Sequence, residues 1–575
     1  VFKGTRPERF DVEVVGVVRN FRPGQDLIMV KTPHPRLNIT RNVRGMSGSP
    51  IYLDGRLAGA YAYSWSTFPI EPVAGVTPIA PMLVELRRPM PPGFWPLEGG
   101  QGVPGAPAAP AAPAAPQRHQ TSLTSFDGVP GEYDLTKHAQ QVAARVGLAP
   151  DGTRPVLAVA TPMFLTGVGD RTARALRTLF EPLGFEPMQV GAGQGTAGTP
   201  EHYENGGVLG VQFIRGDLSA GGIGTATYVE GRKVAGFGHP MMEAGDTSFP
   251  ACVGQIFWIN ASELHSSKIG ECTRPLGTVI QDRQSAIVVD ETKVAPTFPV
   301  RVEVLGVVGA PKTVWNAEVA EDRFMTPSLT AAVLGAAVEG TVSERRDVTW
   351  QLRSKLVVAG HGNVELEDVG VSLGGTPDSG DWQGSRVVRT VGDILNNPWQ
   401  RVRLERLEAT FTVRFSRDLW RLRGVELLDP VVDAGERVRI RLKLLEVAGP
   451  EQSRTVEVRI PTELAGKEVD IEILPGHEVP QDLAPPESLP ELLANAPRLS
   501  HAMKAVVLQI RVPGFGVAYR GKVTQRLPHF ALDALRPATS DTGPDSYPSY
   551  VRTVVPLDRY LEGRDRVRVR VRASR

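Results

Sequence analysis

The run Gly45-Met46-Ser47-Gly48-Ser49-Pro50 sets a serine hydroxyl in a turn made of small residues. A serine that attacks an acyl carbon needs such a setting. Its own N–H and that of the residue two places earlier must converge on the oxygen that becomes negative, and only a tight loop lets them do so. Ser47 is therefore the candidate nucleophile, and the N–H groups of Gly45 and Ser47 are the candidate oxyanion donors. By itself the hexapeptide also reads as an ordinary surface turn, so the chemistry requires a base.

The chain has ten histidines. His239 stands out because Gly236-Phe237-Gly238-His239-Pro240 places it in a glycine-bounded turn, directly after the strand-like runs at 221–227 and 232–235. A histidine at a strand end can present its ring to a cleft and exchange a proton near neutral pH; the plain alternative is an exposed turn residue. His265 and His34 are weaker candidates, His34 because Pro33 and Pro35 enclose it. No two histidines have metal-ligand spacing, which argues against a zinc hydrolase; no metal and no cofactor are expected.

The 64 basic and 63 acidic side chains nearly cancel, so no overall field draws the chain to nucleic acid or to an anionic membrane. No apolar stretch approaches the roughly 18 to 20 residues of a membrane span. The 575 residues exceed what one hydrophobic core organises. Sixty glycines and 49 prolines favour short strands joined by tight turns, so the fold is expected to be mainly β. The chain opens at Val1 within a strand-forming segment, which leads us to expect an upstream segment such as a signal peptide or an anchor. Cys252 and Cys272 are either a disulfide of an oxidising compartment or two buried thiols.

Alternating apolar and polar residues over 10–86, with Asp54-Gly55 as a primed hairpin turn, predict a serine-bearing β lobe at 1–90. Residues 91–120 form a Gly/Ala/Pro-rich linker in which Ala-Ala-Pro recurs, a composition suited to an extended tether. A histidine-bearing β lobe with helical insertions is expected at 121–360. One helix is capped by Asp170 and stopped by Gly184, and another lies around 328–338. Strand signals then predict a β-sandwich at 361–480 and a further β-rich region at 481–575, with a short helix near 487–494.

The serine run parallels the Gly-Asp-Ser-Gly-Gly-Pro run of chymotrypsin-like enzymes, and the hairpin after it fits that pattern. Together with Ala220-Gly221-Gly222-Ile223-Gly224-Thr225 and Gly236-Phe237-Gly238-His239, it resembles the SpoIVB-type serine peptidases, the family of the stage IV sporulation signalling protease, over 10–81 and again over 216–283. The resemblance implies a chymotrypsin-like double β-barrel, Ser47 as nucleophile and His239 as base. It further implies a bacterial extracytoplasmic location, periplasmic or secreted, and a protein substrate, with self-processing in the tether or near the N-terminus as a corollary. Two departures stand out. The serine precedes the histidine, so the lobes would be circularly permuted, with the tether carrying the chain between them. The family's suspected aspartate, in an Asp-Pro-Arg-Leu run, is replaced in His34-Pro35-Arg36-Leu37, which leaves a Ser-His dyad, a backbone carbonyl, or Asp246 or Asp282 to orient the base. The competing reading is an inactive peptidase-fold scaffold that binds a protein of the cell envelope, and the oligomeric state stays open.

Overall fold

The computed structural model describes residues 1–64, 71–91, 123–146, 157–158, 161–191, 198–263, 266–447, 449–519, 522–527 and 545–573. The linker expected at 91–120 falls, beyond Pro91, outside the described residues, as does His265.

The fold is mainly β. Its first sheet uses β1 (Glu13–Arg22), β2 (Gln25–Lys31), β4 (Pro50–Leu53), β5 (Arg56–Ser64) and β6 (Val73–Pro78) in the order β1-β2-β6-β5-β4, with helix α1 (Pro35–Thr40) and strand β3 (Val43–Arg44) between β2 and β4. The Asp54-Gly55 turn closes the β4–β5 hairpin with φ of 48° and 75°, the two positive angles of a primed turn. A barrel was expected here; among the described residues the ladder has two ends, at β1 and β4. Helix α2 (Ile79–Arg87) follows and lays Met82 and Leu86 against Ala235, Ile280 and Val288 of the next body.

Between the two bodies β7 (Leu157–Ala158) returns to pair with β5 in the first sheet, and the second body uses α3 (Leu135–Val146), β8 (Thr161–Thr166), α4 (Asp170–Phe180) and β9 (Phe185–Gln189). Six consecutive strands then close a ring: β10 (Val208–Gly216), β11 (Ser219–Glu230), β12 (Lys233–Gly236), β13 (Gly245–Asn260), β14 (Ser266–Arg283) and β15 (Ala286–Asp290). They pair antiparallel in the order β10-β13-β14-β15-β12-β11 and back to β10. Phe213 on β10 fills the apolar interior, edge-on to Phe249 at 5.6 Å and to Phe185 at 5.7 Å. Cys252 and Cys272 form a disulfide across β13 and β14.

Beyond the ring the sheet runs on through β16 (Thr297–Leu305), β17 (Val314–Ala320), β18 (Val348–Val358), β19 (Gly362–Ser372) and β20 (Leu404–Arg414). Helix α5 (Met325–Thr341) is apolar on all sides and buried along nearly its whole length, as such a helix must be. The α4 helix stops at Gly184 as its sequence predicts, after a 3-10 turn at Glu181–Leu183. Its N-terminus is capped differently: Glu339 of α5 accepts from the N–H groups of Arg171 and Thr172 at 3.1 and 3.2 Å, and Asp170 lies in the first turn.

The expected boundary at 360/361 cuts the β18–β19 hairpin, where Val358 pairs with Gly362. Ladders and cores instead divide the chain after β20. The regions expected apart at 361–480 and 481–575 join from Leu419 onward, because Glu468–Pro475 pairs with Asp565–Val571, and Leu419–Leu427 with Tyr560–Glu562. Two sheets there face one core containing Trp420, Ile440, Ile471, Leu508 and Val569. Strand signals gave the local elements, but pairing between strands far apart in sequence set the boundary.

Phe213→Ala should destabilise the protein by about 3–5 kcal/mol in urea unfolding, because it empties the ring interior without a polar compensation.

Candidate active site

The serine turn begins where β3 leaves its own sheet. Val43 and Arg44 pair in parallel with Ser266 and Ser267 of β14, so the turn that follows is laid on the ring of the histidine-bearing body. Within the turn, Met46 N–H donates to Val43 O at 3.1 Å, Ser49 N–H to Met46 O at 2.9 Å, and Gly48 N–H to Tyr61 O at 2.7 Å. The turn's own hydrogen bonds thus use the N–H groups of Met46, Gly48 and Ser49. The buried Met46 side chain anchors the turn in a small core with Val43, Ile51 and Tyr61.

Thr225 on β11 receives this turn. Its N–H donates to Ser47 O at 2.8 Å, its hydroxyl donates to Gly45 O at 3.3 Å, and Thr227 Oγ1 donates to Gly48 O at 2.7 Å. Gly48 has φ of 94°, and a Cβ there would collide with the Thr225 carbonyl oxygen and come within 2.6 Å of Phe237 N. Only glycine fits between the two segments.

The same threonine holds the histidine turn: Phe237 N–H donates to Thr225 O at 3.2 Å. Phe237 and Gly238 both have positive φ, 66° and 72°, which turns the chain sharply before His239. Gly238 lies against Ala60 and Ala62 of β5, where a Cβ would stand 2.8 Å from Ala60 Cβ, and its carbonyl accepts from Thr77 Oγ1 of β6 at 2.5 Å. Gln25 Nε2 donates in turn to Thr77 Oγ1 at 3.2 Å. The serine turn is therefore fastened to the histidine-bearing body, and the histidine turn to the serine-bearing sheet.

His239 Nδ1 lies 2.7 Å from Pro240 O. A carbonyl only accepts, so Nδ1 carries the proton and, in the neutral ring, Nε2 carries the lone pair. The ring sits 5.9 Å from that of Phe237 and 6.3 Å from that of Tyr63. Ser47 Oγ is buried and has no hydrogen-bond partner among the described residues. Ser47 is 0% and His239 2% exposed, so a substrate carbonyl reaches either group only after the covering residues move. The covering side includes Tyr63, with Phe21 edge-on to it at 5.0 Å and the Arg22 guanidinium over its ring at 5.3 Å.

The two carboxylates weighed as orienting groups have other work. Asp246 pairs with Arg283 at 2.9 Å. Asp282, fully buried on β14, accepts from the N–H groups of Met241, Met242 and Ala244 at 2.7, 2.8 and 3.2 Å and so clamps the backbone that leaves His239. Burial pushes its carboxyl up to about 6, against the pull of those three donors. His34 is a structural residue: its ring caps α1 by accepting from Arg36 N–H at 3.2 Å and packs on Phe2 at 5.1 Å.

Sequence reasoning missed Thr225, Thr227, Thr77 and Lys268. The first two were visible as alternate polar positions in the otherwise apolar Gly-Ile-Gly-Thr-Ala-Thr strand, a pattern that marks hydroxyls pointing at a neighbour. Nothing local marks Thr77 or Lys268.

No family model matches this chain, and neither a curated protein nor a solved structure matches it. The site therefore rests on its own geometry.

Gly48→Ala should prevent the serine turn from docking and lower stability markedly in thermal unfolding. Gly55→Ala, at φ of 75° with nothing within 4 Å of the new methyl, should cost only about 1 kcal/mol. Asp282 supplies a pH test. A carboxyl whose folded-state value is raised favours the fold while protonated, so its contribution is present below about pH 4 and lost as pH rises through about 6. Urea unfolding should show a fall of roughly 3 kcal/mol across that window, and Asp282→Asn should flatten it.

Proposed function

We propose that this chain is an extracytoplasmic serine endopeptidase of the SpoIVB type, with a chymotrypsin-like pair of β lobes in permuted order. The observation that carries the reading is the double tie at Thr225, whose N–H holds Ser47 and whose carbonyl holds the turn of His239. Further support comes from a tautomer of His239 that leaves Nε2 basic and from the six-stranded ring behind the histidine turn; Ser47 Oγ makes no hydrogen bond to His239, so under this reading the two close up when substrate binds.

In the proposed cycle His239 Nε2 takes the Ser47 proton as Oγ attacks a peptide carbonyl, and the N–H groups of Gly45 and Ser47 receive the oxyanion. The imidazolium then protonates the leaving amine, and water repeats the sequence on the acyl-enzyme, restoring Ser47 and the neutral ring. The Pro240 carbonyl takes the place of the aspartate by fixing the tautomer. A carbonyl lacks the full negative charge of a carboxylate and stabilises an imidazolium less, so a modest turnover is expected.

The substrate class under this reading is protein, and the C-terminal two-sheet module is the proposed contact for an envelope protein. The Cys252–Cys272 disulfide fits an oxidising compartment. The second reading, an inactive scaffold, is favoured by one observation: both reacting side chains are shut away from solvent.

Labelling with a fluorophosphonate probe separates the two. Modification at Ser47, located by mass spectrometry and lost in both Ser47→Ala and His239→Ala, is the expected result. A folded protein that never labels would favour the scaffold. Self-processing predicts that Ser47→Ala retains termini that the wild-type protein loses.

A further inference from the structure

Lys268 is a lysine in the wrong place for a surface residue. It lies on β14, one residue past the pairing with β3, and is 1% exposed. Among the described residues no carboxylate pairs with it. Its Nζ is 3.5 Å from Thr225 Oγ1, the hydroxyl that donates to Gly45 O, and its stem packs on Gly45, whose added Cβ would meet Lys268 Cβ at 3.3 Å and Cδ at 3.4 Å. A buried amine without a counter-ion costs several kcal/mol, and a fold that only needed to fill this space has methionine or leucine for the purpose.

We propose that Lys268 is a positioning residue of the oxyanion loop, holding Thr225 and Gly45 in place and supplying a positive charge beside the donors when the oxyanion forms. The proposal rests on the peptidase reading and deepens it. The ammonium faces Thr225 from β11 and Gly45 from the serine turn, neither of them ionisable. Burial alone lowers Lys268 to about 7, so the ammonium is present below that pH and gives way to the amine above it. His239 must be neutral to act as base, which favours higher pH. The two requirements oppose each other and predict a bell-shaped profile for the reaction at Ser47.

The test is the rate of fluorophosphonate labelling of Ser47 from about pH 5 to 9, with Lys268→Met as the variant that keeps the stem and removes the charge. The wild-type rate should rise and then fall. Lys268→Met should label about tenfold more slowly near pH 6.5, without the alkaline fall, while its stability in urea is equal or higher because a buried amine has been removed. A purely structural lysine would instead lower stability and leave the profile's shape unchanged, which would overturn the proposal. So would a Lys268→Met protein that labels at the wild-type rate with the wild-type profile. Should that variant not fold, the wild-type profile decides alone: a rate that stays level above pH 7 removes Lys268 from the reaction. A wild-type protein that does not label at any pH overturns the peptidase reading and this role together, whereas labelling with an unchanged variant overturns this role only.

Discussion

The peptide unit of Thr225 carries the arrangement. Its N–H holds the carbonyl of Ser47 while its C=O holds the amide of Phe237. Two segments separated by nearly two hundred residues are thus fixed relative to one another by the geometry of a single strand residue. Side-chain bonds alone would let each segment swing; two backbone bonds from one residue do not. The glycine at position 48 follows from this constraint, since the turn must approach β11 closely enough for both bonds to form.

The cross-fastening has an energetic consequence. Each turn is held by the body that does not contain it: the serine turn by β11 and β14, the histidine turn by β5 and β6. Separating the two bodies would expose Thr77, Thr225 and Thr227 and strip each of a hydrogen bond to a buried carbonyl. The interface is therefore polar at its centre and apolar at its edge, where Met82 and Leu86 of α2 pack on Ala235 and Val288. A centre of that kind fixes register more than it adds affinity. Small displacements then matter to the chemistry, because they move nucleophile and base together or not at all.

The local elements were legible in the sequence because they depend on neighbours. The primed turn at Asp54-Gly55, the stop of α4 at Gly184 and the helix around 328–338 each needed only a few residues. The turns that carry Ser47 and His239 were legible for the same reason, each built on neighbours with positive φ. What brings them to one interface was not legible. The parallel pairing of β3 with β14, the bond from Thr77 to Gly238 O and the packing of Lys268 on Gly45 join residues far apart in the chain, for which one sequence holds no local mark. The misplaced boundary at 360/361 has the same origin: β19 looks like the start of a new domain until its partner is known to be β18, which pairs in turn with β20 and, through it, with β16.

Under the proposed peptidase reading, the carboxylate's part is moved one step from the ring. In a triad the acid touches the ring, sets its tautomer and steadies its charge. Here the ring's Nδ1 meets the carbonyl of the next residue, a group that stays where it belongs only if the backbone after His239 is rigid. Asp282 supplies that rigidity by binding the N–H groups of Met241, Met242 and Ala244 in the same segment. The carboxylate has thus been displaced by one step, from the ring to the backbone that holds the ring's partner. Orientation survives such a displacement, because it needs only a fixed acceptor. Charge stabilisation does not survive it in full, because Asp282 spends its oxygens on amides and burial favours its neutral form. Under that reading, the site keeps an oriented base while giving up part of its electrostatic support, which makes a buried cation beside the proposed oxyanion donors weigh more heavily.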